Sequence, residues 1–94
     1  MRFARRAERQ ILEIDTWWRE SRPAAPTLFT IELEAAISLL SATPHAGAPY
    51  VAIGGVYRLL LPKTRYWIYY RLVAGDVEVR AVWHAQRGHG PTLR

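Results

Sequence analysis

The sequence predicts an α+β fold in which a helical hairpin packs on one face of a small antiparallel sheet. Two apolar stripes with helical spacing occupy the first half of the chain, and three segments with alternating side chains occupy the second half. A chain of 94 residues forms one domain, residues 1–94, and buries only about 60–65% of its unfolded surface. All predicted elements must therefore share one core.

The helices are predicted from apolar spacing. The first stripe runs at i, i+4, i+7 and i+11 and comprises Ala7, Ile11, Ile14 and Trp18. Pro23 should end this helix near Ser21, since proline disfavours helical geometry at the preceding residue. The second helix is expected from about Pro26 to Thr43-Pro44, with a stripe comprising Phe29, Leu33, Ile37 and Leu40. The short break between the two helices predicts an antiparallel hairpin.

Three strands are expected in the second half, at residues 56–61, 65–72 and 77–84, joined by short turns. A short strand at Phe3 precedes the helices, and residues 50–53 form either an extended piece or a packed loop. Strand alternation defines two faces. The face toward the helices is predicted to carry Tyr57, Leu59, Leu61, Tyr66, Ile68, Tyr70, Leu72, Val77, Val79, Ala81 and Trp83. The opposite face is predicted to carry Val56, Arg58, Leu60, Arg65, Trp67, Tyr69, Arg71, Glu78, Arg80, Val82 and His84.

The net charge is confined to the predicted strands and their surroundings. Residues 1–49 have equal numbers of arginines and acids, whereas residues 50–94 carry the whole formal charge of +5. Arginines that alternate with aromatic residues on one strand face form a basic, aromatic surface. This surface suits either an acidic protein partner or nucleic acid.

Several classes of site find no support in the sequence. Cysteine is absent, which excludes disulfides and thiolate chemistry, and the three histidines lack metal-ligand spacing. Gly54-Gly55 precedes a strand rather than a helix, so it does not form a phosphate-binding loop. We expect neither a metal nor a cofactor. The chain has no apolar run of about 18 residues and no signal-peptide pattern, so we expect a cytoplasmic protein without membrane contact.

The order of these features resembles the RelE/ParE superfamily of bacterial type II toxins. The resemblance covers nearly the whole chain and rests on the first helix, on Arg58 before Leu59-Leu60, and on the segments 65–71 and 82–87. It implies a toxin that arrests growth and is held inactive in a hetero-oligomer with a cognate antitoxin.

The resemblance leaves the target open between two subgroups. RelE-like members cut messenger RNA on the ribosome, and ParE-like members inhibit DNA gyrase. Residues 82–87 are more similar to the ParE subgroup. The single lysine, Lys63, and the absence of tyrosine after Tyr70 depart from the RelE pattern. We therefore favour a ParE-like gyrase inhibitor.

The alternatives are a RelE-like mRNA interferase and an inactive relative that serves as a binding module or corepressor. In the interferase, Arg58, Arg65 and Arg80 would stabilise phosphorane charge and His84 would transfer protons, without a carboxylate base nearby. Trp67 or Tyr69 would stack an exposed base. His84 is otherwise a structural, hydrogen-bonded residue.

Antitoxin docking is the other interpretation of the basic face. The antitoxin would pair with Arg58, Arg65, Arg71 and Arg80 and bury Trp67. Two further binding residues are expected elsewhere. Trp17 lies outside the first apolar stripe and is a candidate anchor, and Arg87 follows the last strand.

Overall fold

The computed structural model describes residues 1–86. Its elements are β1 (Arg2–Phe3), α1 (Arg5–Ser21), α2 (Leu28–Ala42), β2 (Ala48–Pro49), β3 (Tyr57–Leu61), β4 (Tyr66–Val73) and β5 (Asp76–His84). The strands form one sheet in the order β1-β5-β4-β3-β2. β1 pairs with β5 in parallel, and all other neighbours are antiparallel. The predicted α+β class and the hairpin-on-sheet arrangement are confirmed.

Both helices pack on the same face of the sheet, where the main core lies. The two predicted stripes point into this core, and Ala7, Phe29 and Leu40 are completely buried. α1 begins after Ala4, whose N–H donates to the Val79 carbonyl at 2.9 Å. The helix thus starts directly from the edge of the sheet. α2 also buries Ala36 in this core, and the sheet contributes Leu61, Tyr66, Ile68, Tyr70, Val77, Val79 and Val82.

The turn between β3 and β4 is held by a carboxylate from α2. Glu32 accepts hydrogen bonds from the Lys63 N–H at 2.6 Å, the Thr64 N–H at 3.0 Å and the Thr64 hydroxyl at 2.6 Å. Arg65 follows with a φ of 68°, in the left-handed region that extended strands do not use. The prediction that Arg65 is the first strand residue is therefore wrong, since β4 begins at Tyr66.

A β-bulge in β5 reverses the side-chain alternation of its second half. Tyr69 pairs with Ala81 whereas Tyr70 pairs with Val79, so Arg80 is an extra residue on β5. Ala81 therefore lies with a second cluster of buried residues on the face away from the helices, and Val82 joins the main core. The predicted faces of Ala81, Val82, Trp83 and His84 are wrong for this reason.

The second cluster shows that the face opposite the helices is partly covered. Val56, Tyr69 and Ala81 are buried there, surrounded by Tyr50, Ile53, Trp67 and Trp83. The cover is the segment 50–56, which folds back so that the Tyr50 N–H donates to the Val56 carbonyl at 2.8 Å. Of the two predicted possibilities for residues 50–53, the packed loop is the one observed.

The hydroxyl of Tyr70 connects β4 to the loop after α2. It donates to the Pro44 carbonyl at 2.9 Å and accepts from the Gly47 N–H at 2.9 Å. A Cβ at Gly47 would lie 2.6 Å from this hydroxyl and 2.7 Å from the Arg58 carbonyl, so only glycine fits here. Burial raises the pKa of the Tyr70 hydroxyl, against a smaller opposing effect of its backbone hydrogen bond.

Candidate functional site

The predicted basic, aromatic face is built around Arg58 on β3. The Arg58 guanidinium lies 4.0 Å from the Trp67 ring centroid and 5.1 Å from that of Tyr50. Arg58 is also directly opposite Tyr69 across the β3–β4 pair. Cation–π contacts with two rings hold this guanidinium in place, so Arg58 joins the sheet to the covering loop.

Tyr69 is buried beneath this arrangement, with 2% of its surface exposed. Its ring packs edge-on against Tyr50 at 5.0 Å. Burial raises the pKa of the Tyr69 hydroxyl, and a hydrogen bond with Arg58 partly opposes the shift. The expectation that Tyr69 offers an open stacking surface is therefore wrong. Trp67 is half-buried, and Arg58 lies over its ring.

The other arginines of this face gather near Glu78. The Arg80 guanidinium donates to a Glu78 carboxylate oxygen at 3.1 Å, and Arg2 lies 3.9 Å from the other oxygen. Arg71 pairs with Glu78 in the strand register. The Nε atom of Arg71 is buried without a hydrogen-bond partner in residues 1–86. One carboxylate thus faces three guanidinium groups, so this part of the face keeps a net positive charge.

His84 lies on the helix side of the sheet. Its ring packs edge-on against Tyr66 at 4.9 Å, and Tyr66 belongs to the main core. The Nδ1 atom of His84 accepts the Gln86 N–H at 3.2 Å. Neutral His84 therefore carries its proton on Nε2.

The four residues predicted for RNA cleavage are not brought together. Arg58 and Arg80 lie on the face away from the helices, Arg65 is exposed in the β3–β4 turn, and His84 lies on the helix side. The prediction that His84 shares a face with Arg58 and Arg80 is wrong, because the bulge at Arg80 shifts the alternation. Of the three arginines, Arg65 has its backbone near His84, since its carbonyl accepts the Ala85 N–H at 2.7 Å.

Trp17 is exposed on α1, as predicted, with 46% of its surface accessible. The Arg22 guanidinium lies 4.9 Å from its ring centroid, and the neighbouring ring of Trp18 is edge-on at 5.6 Å. Trp18 instead turns inward and donates from Nε1 to the Tyr66 hydroxyl at 3.3 Å. The other predicted binding residue, Arg87, lies outside the described residues.

Two grooves were not predicted from the sequence. One, of about 360 Å³, lies between α1 and β5 and is lined in part by Gln10, Glu13, Trp17 and His84. Because the bulge decides which β5 side chains face α1, alternation alone could not reveal it.

The second groove, of about 370 Å³, lies between α2 and β3 and is mainly apolar. Ile31 and Leu39 on its α2 side are 61% and 45% exposed. A sequence signal for it exists. Ile31, Ala35 and Leu39 recur at i, i+4 and i+8 beside the buried stripe, so α2 is apolar on two sides.

Neither a metal cluster nor a membrane span is found in residues 1–86. No three His, Asp or Glu side chains come together there as a possible metal site. In the same part of the chain, neither helix is long and apolar enough to cross a membrane.

The fold and the family comparison agree on the class of protein. A helical hairpin on one face of a small, mainly antiparallel sheet is the architecture expected of a RelE/ParE-like toxin. The family model for the ParE toxin of the type II toxin-antitoxin system, parDE, matches residues 1–88. The chain belongs to this family, which confirms the predicted superfamily and its ParE-like subgroup. A search of curated proteins finds no significant match.

Proposed function

We propose that this toxin arrests bacterial growth by inhibiting DNA gyrase in the cytoplasm and is neutralised by a cognate antitoxin. The observation that carries the proposal is the family match, which extends over residues 1–88. It covers the whole described fold, including both faces of the sheet.

The arrangement of side chains supports inhibition by binding rather than RNA cleavage. A metal-free nuclease needs a proton-transfer group close to the cations that stabilise the phosphorane. Here His84 is on the helix side, whereas Arg58 stacks on two aromatic rings on the other side. Tyr69 is buried and offers no ring face to a base.

The proposed antitoxin contact is the apolar groove between α2 and β3. Ile31 and Leu39 expose large apolar surfaces there, and such surfaces mark interaction sites. On the basic face, by contrast, Arg58 and Arg80 already have aromatic or carboxylate partners. An amphipathic segment of the antitoxin would cover the groove and complete the hetero-oligomer.

The target is tested by inducing the chain in a bacterial host and by assaying the purified protein. A gyrase inhibitor should induce the DNA-damage response, produce filamentous cells and inhibit supercoiling. Ribosome-dependent messenger cuts with supercoiling unaffected would instead identify the interferase. Normal growth at verified soluble expression would contradict both activities and favour the inactive relative.

His84→Ala separates the two activities at the level of one residue. If His84 transferred protons, its loss should lower RNA cleavage by about 10²–10⁴-fold. In a gyrase inhibitor, the change should alter toxicity only as far as it alters stability. Cleavage that is abolished while the melting temperature stays constant would overturn the proposed target.

The antitoxin contact is tested by Ile31→Gln, with Leu12→Gln as the matched control. Leu12 is 66% exposed on α1 and does not line the groove. Ile31→Gln should weaken antitoxin binding and its rescue of growth, whereas Leu12→Gln should leave both intact. Equal effects of the two changes would place the antitoxin elsewhere.

A further inference from the structure

We propose that the groove between α1 and the second half of β5 is a binding site for one arginine side chain of a partner polypeptide. The groove has a volume of about 360 Å³, and its walls include Gln10, Glu13, Trp17, Tyr66, Val82 and His84. The site is independent of the proposed gyrase target, since it is argued only from the chemistry of its walls.

The charge of the groove favours a cation. Glu13 is the one carboxylate among the described residues that line it. Glu13 is exposed and has neither an ion-pair nor a hydrogen-bond partner within residues 1–86. No arginine or lysine of that part of the chain lines the groove. A guanidinium can donate two parallel hydrogen bonds to such a carboxylate.

The aromatic wall favours a planar cation over a compact one. Trp17 lies one helical turn after Glu13, on the same side of α1, and is 46% exposed. Arg22 already lies 4.9 Å from the centroid of this ring, so the indole accepts a guanidinium. Arg22 itself does not line the groove. Stacking on Trp17 and pairing with Glu13 together describe an arginine site.

The open edge of β5 offers hydrogen-bonding groups to the main chain on either side of the bound arginine. The Val82 N–H points toward α1 and donates to Gln10 Oε1 at 2.8 Å. Since the N–H and C=O of one strand residue point to the same side, the Val82 carbonyl also faces α1. β1 pairs only with Glu78 and Val79, so it does not cover this part of β5. The Nε2–H of neutral His84 is a further donor.

The test is a titration of the full ¹⁵N-labelled chain with N-acetyl-L-arginine amide, followed through the indole N–H signals of its tryptophans. The Trp17 signal, assigned with Trp17→Leu, should shift saturably, with half-saturation on the order of 1–10 mM for so small a probe. N-acetyl-L-citrulline amide has nearly the same shape without the charge, and it should produce no saturable shift.

The residue test pairs Glu13→Gln with Glu20→Gln. Both glutamates are exposed on α1, and Glu20 lies two turns beyond Glu13 outside the groove. Glu13→Gln should weaken binding of the arginine probe by about two- to fivefold, the usual worth of an exposed ion pair. Glu20→Gln should change it less than twofold, roughly the screened long-range effect of one surface charge. Unchanged amide spectra outside the groove would show that both variants fold.

Three results would overturn the assignment. They are the absence of a saturable shift up to about 50 mM arginine probe, equal binding of the citrulline probe, and equal losses in Glu13→Gln and Glu20→Gln. Ethylguanidinium tests the polypeptide part separately. It should bind several-fold more weakly than the arginine amide, because it lacks the peptide groups that meet Val82 and His84. Equal affinity would restrict the site to a free guanidinium.

Discussion

The two faces of the sheet are covered in different ways, and the difference separates stability from recognition. One face lies under α1 and α2 and buries large apolar side chains such as Phe29 and Leu40. The other lies under the short segment 50–56 and is held by contacts of Arg58 with aromatic rings. The free energy gained by burying apolar side chains is roughly proportional to the apolar area that is covered. The helix-covered face should therefore supply most of the folding free energy, and the loop-covered face should tolerate change.

Core truncation on the two faces gives the largest expected contrast. Leu40→Ala, at a fully buried position of the main core, should lower the free energy of unfolding by about 2–5 kcal/mol. Val56→Ala removes two buried methyl groups from the second cluster and should cost about 2 kcal/mol. Urea unfolding of both variants measures the difference. If Val56→Ala lost more free energy of unfolding than Leu40→Ala, the helix-covered face would not be the main source of stability.

Glycine substitutions test the connection between Tyr70 on the helix-covered face and the loop after α2. Gly47→Ala should destabilise the protein by about 1–3 kcal/mol, because the new Cβ would lie 2.6 Å from the Tyr70 hydroxyl. Gly54→Ala is the control, since a Cβ there meets no atom of residues 1–86 within 4 Å. It should be neutral or stabilise by up to about 1 kcal/mol. Similar melting temperatures for the two variants would argue against the close packing at Gly47.

The ionisation of Tyr69 examines the loop-covered face alone. Its pKa is raised above 10.0 chiefly by burial, so the neutral form is favoured in the folded state. The resulting stability is present below pH 10.0 and is lost as the pH rises through the folded-state pKa. Arg58→Gln removes the opposing hydrogen bond and should raise this pKa further. Arg71→Gln is the control. Tyrosinate absorbance in an alkaline titration measures the Tyr69 pKa in both variants. Identical titration curves for Arg58→Gln and Arg71→Gln would exclude the Arg58–Tyr69 contact.

The smallest effect on the free energy of unfolding is expected at Asp15 in the helical hairpin. Hydrogen bonds from Arg19 and then Thr30 lower the pKa of Asp15 below 3.8. A lowered folded-state pKa stabilises the protein above the unfolded value and loses this contribution as the pH falls through the folded value. Asp15→Asn should therefore be less stable than the wild type at neutral pH, and the difference should disappear as the pH falls through the folded-state pKa of Asp15, which lies below 3.8. Thermal melts across this range measure it. A difference that persists in acid would point to packing instead.

The helical hairpin and the strand positions could be predicted because they follow from local patterns. The spacing of Ala7, Ile11 and Ile14 and the stop at Pro23 depend only on neighbouring residues. The bulge could not be predicted in this way. Nothing in the sequence around Arg80 distinguishes an extra residue from regular alternation, and its position depends on how β5 pairs with β4.

The extra residue, Arg80, accounts for most of the differences between the predicted and the observed candidate site. It moved His84 from the expected basic face to the groove beside α1. The cover over Tyr69 was missed for another reason. Tyr50 and Ile53 are apolar enough to pack, but the sequence does not show which face of the sheet a loop will fold onto.

The contact between Glu32 and the β3–β4 turn has a consequence for how the molecule opens. A hairpin turn is usually a local element, yet here the Lys63 and Thr64 amides donate to a carboxylate 31 and 32 residues earlier in the chain. Detachment of α2 therefore also releases this turn, so the helix and the hairpin belong to one cooperative unit. Hydrogen exchange at the Thr64 amide should consequently follow the opening of α2 rather than the fraying of β3 and β4.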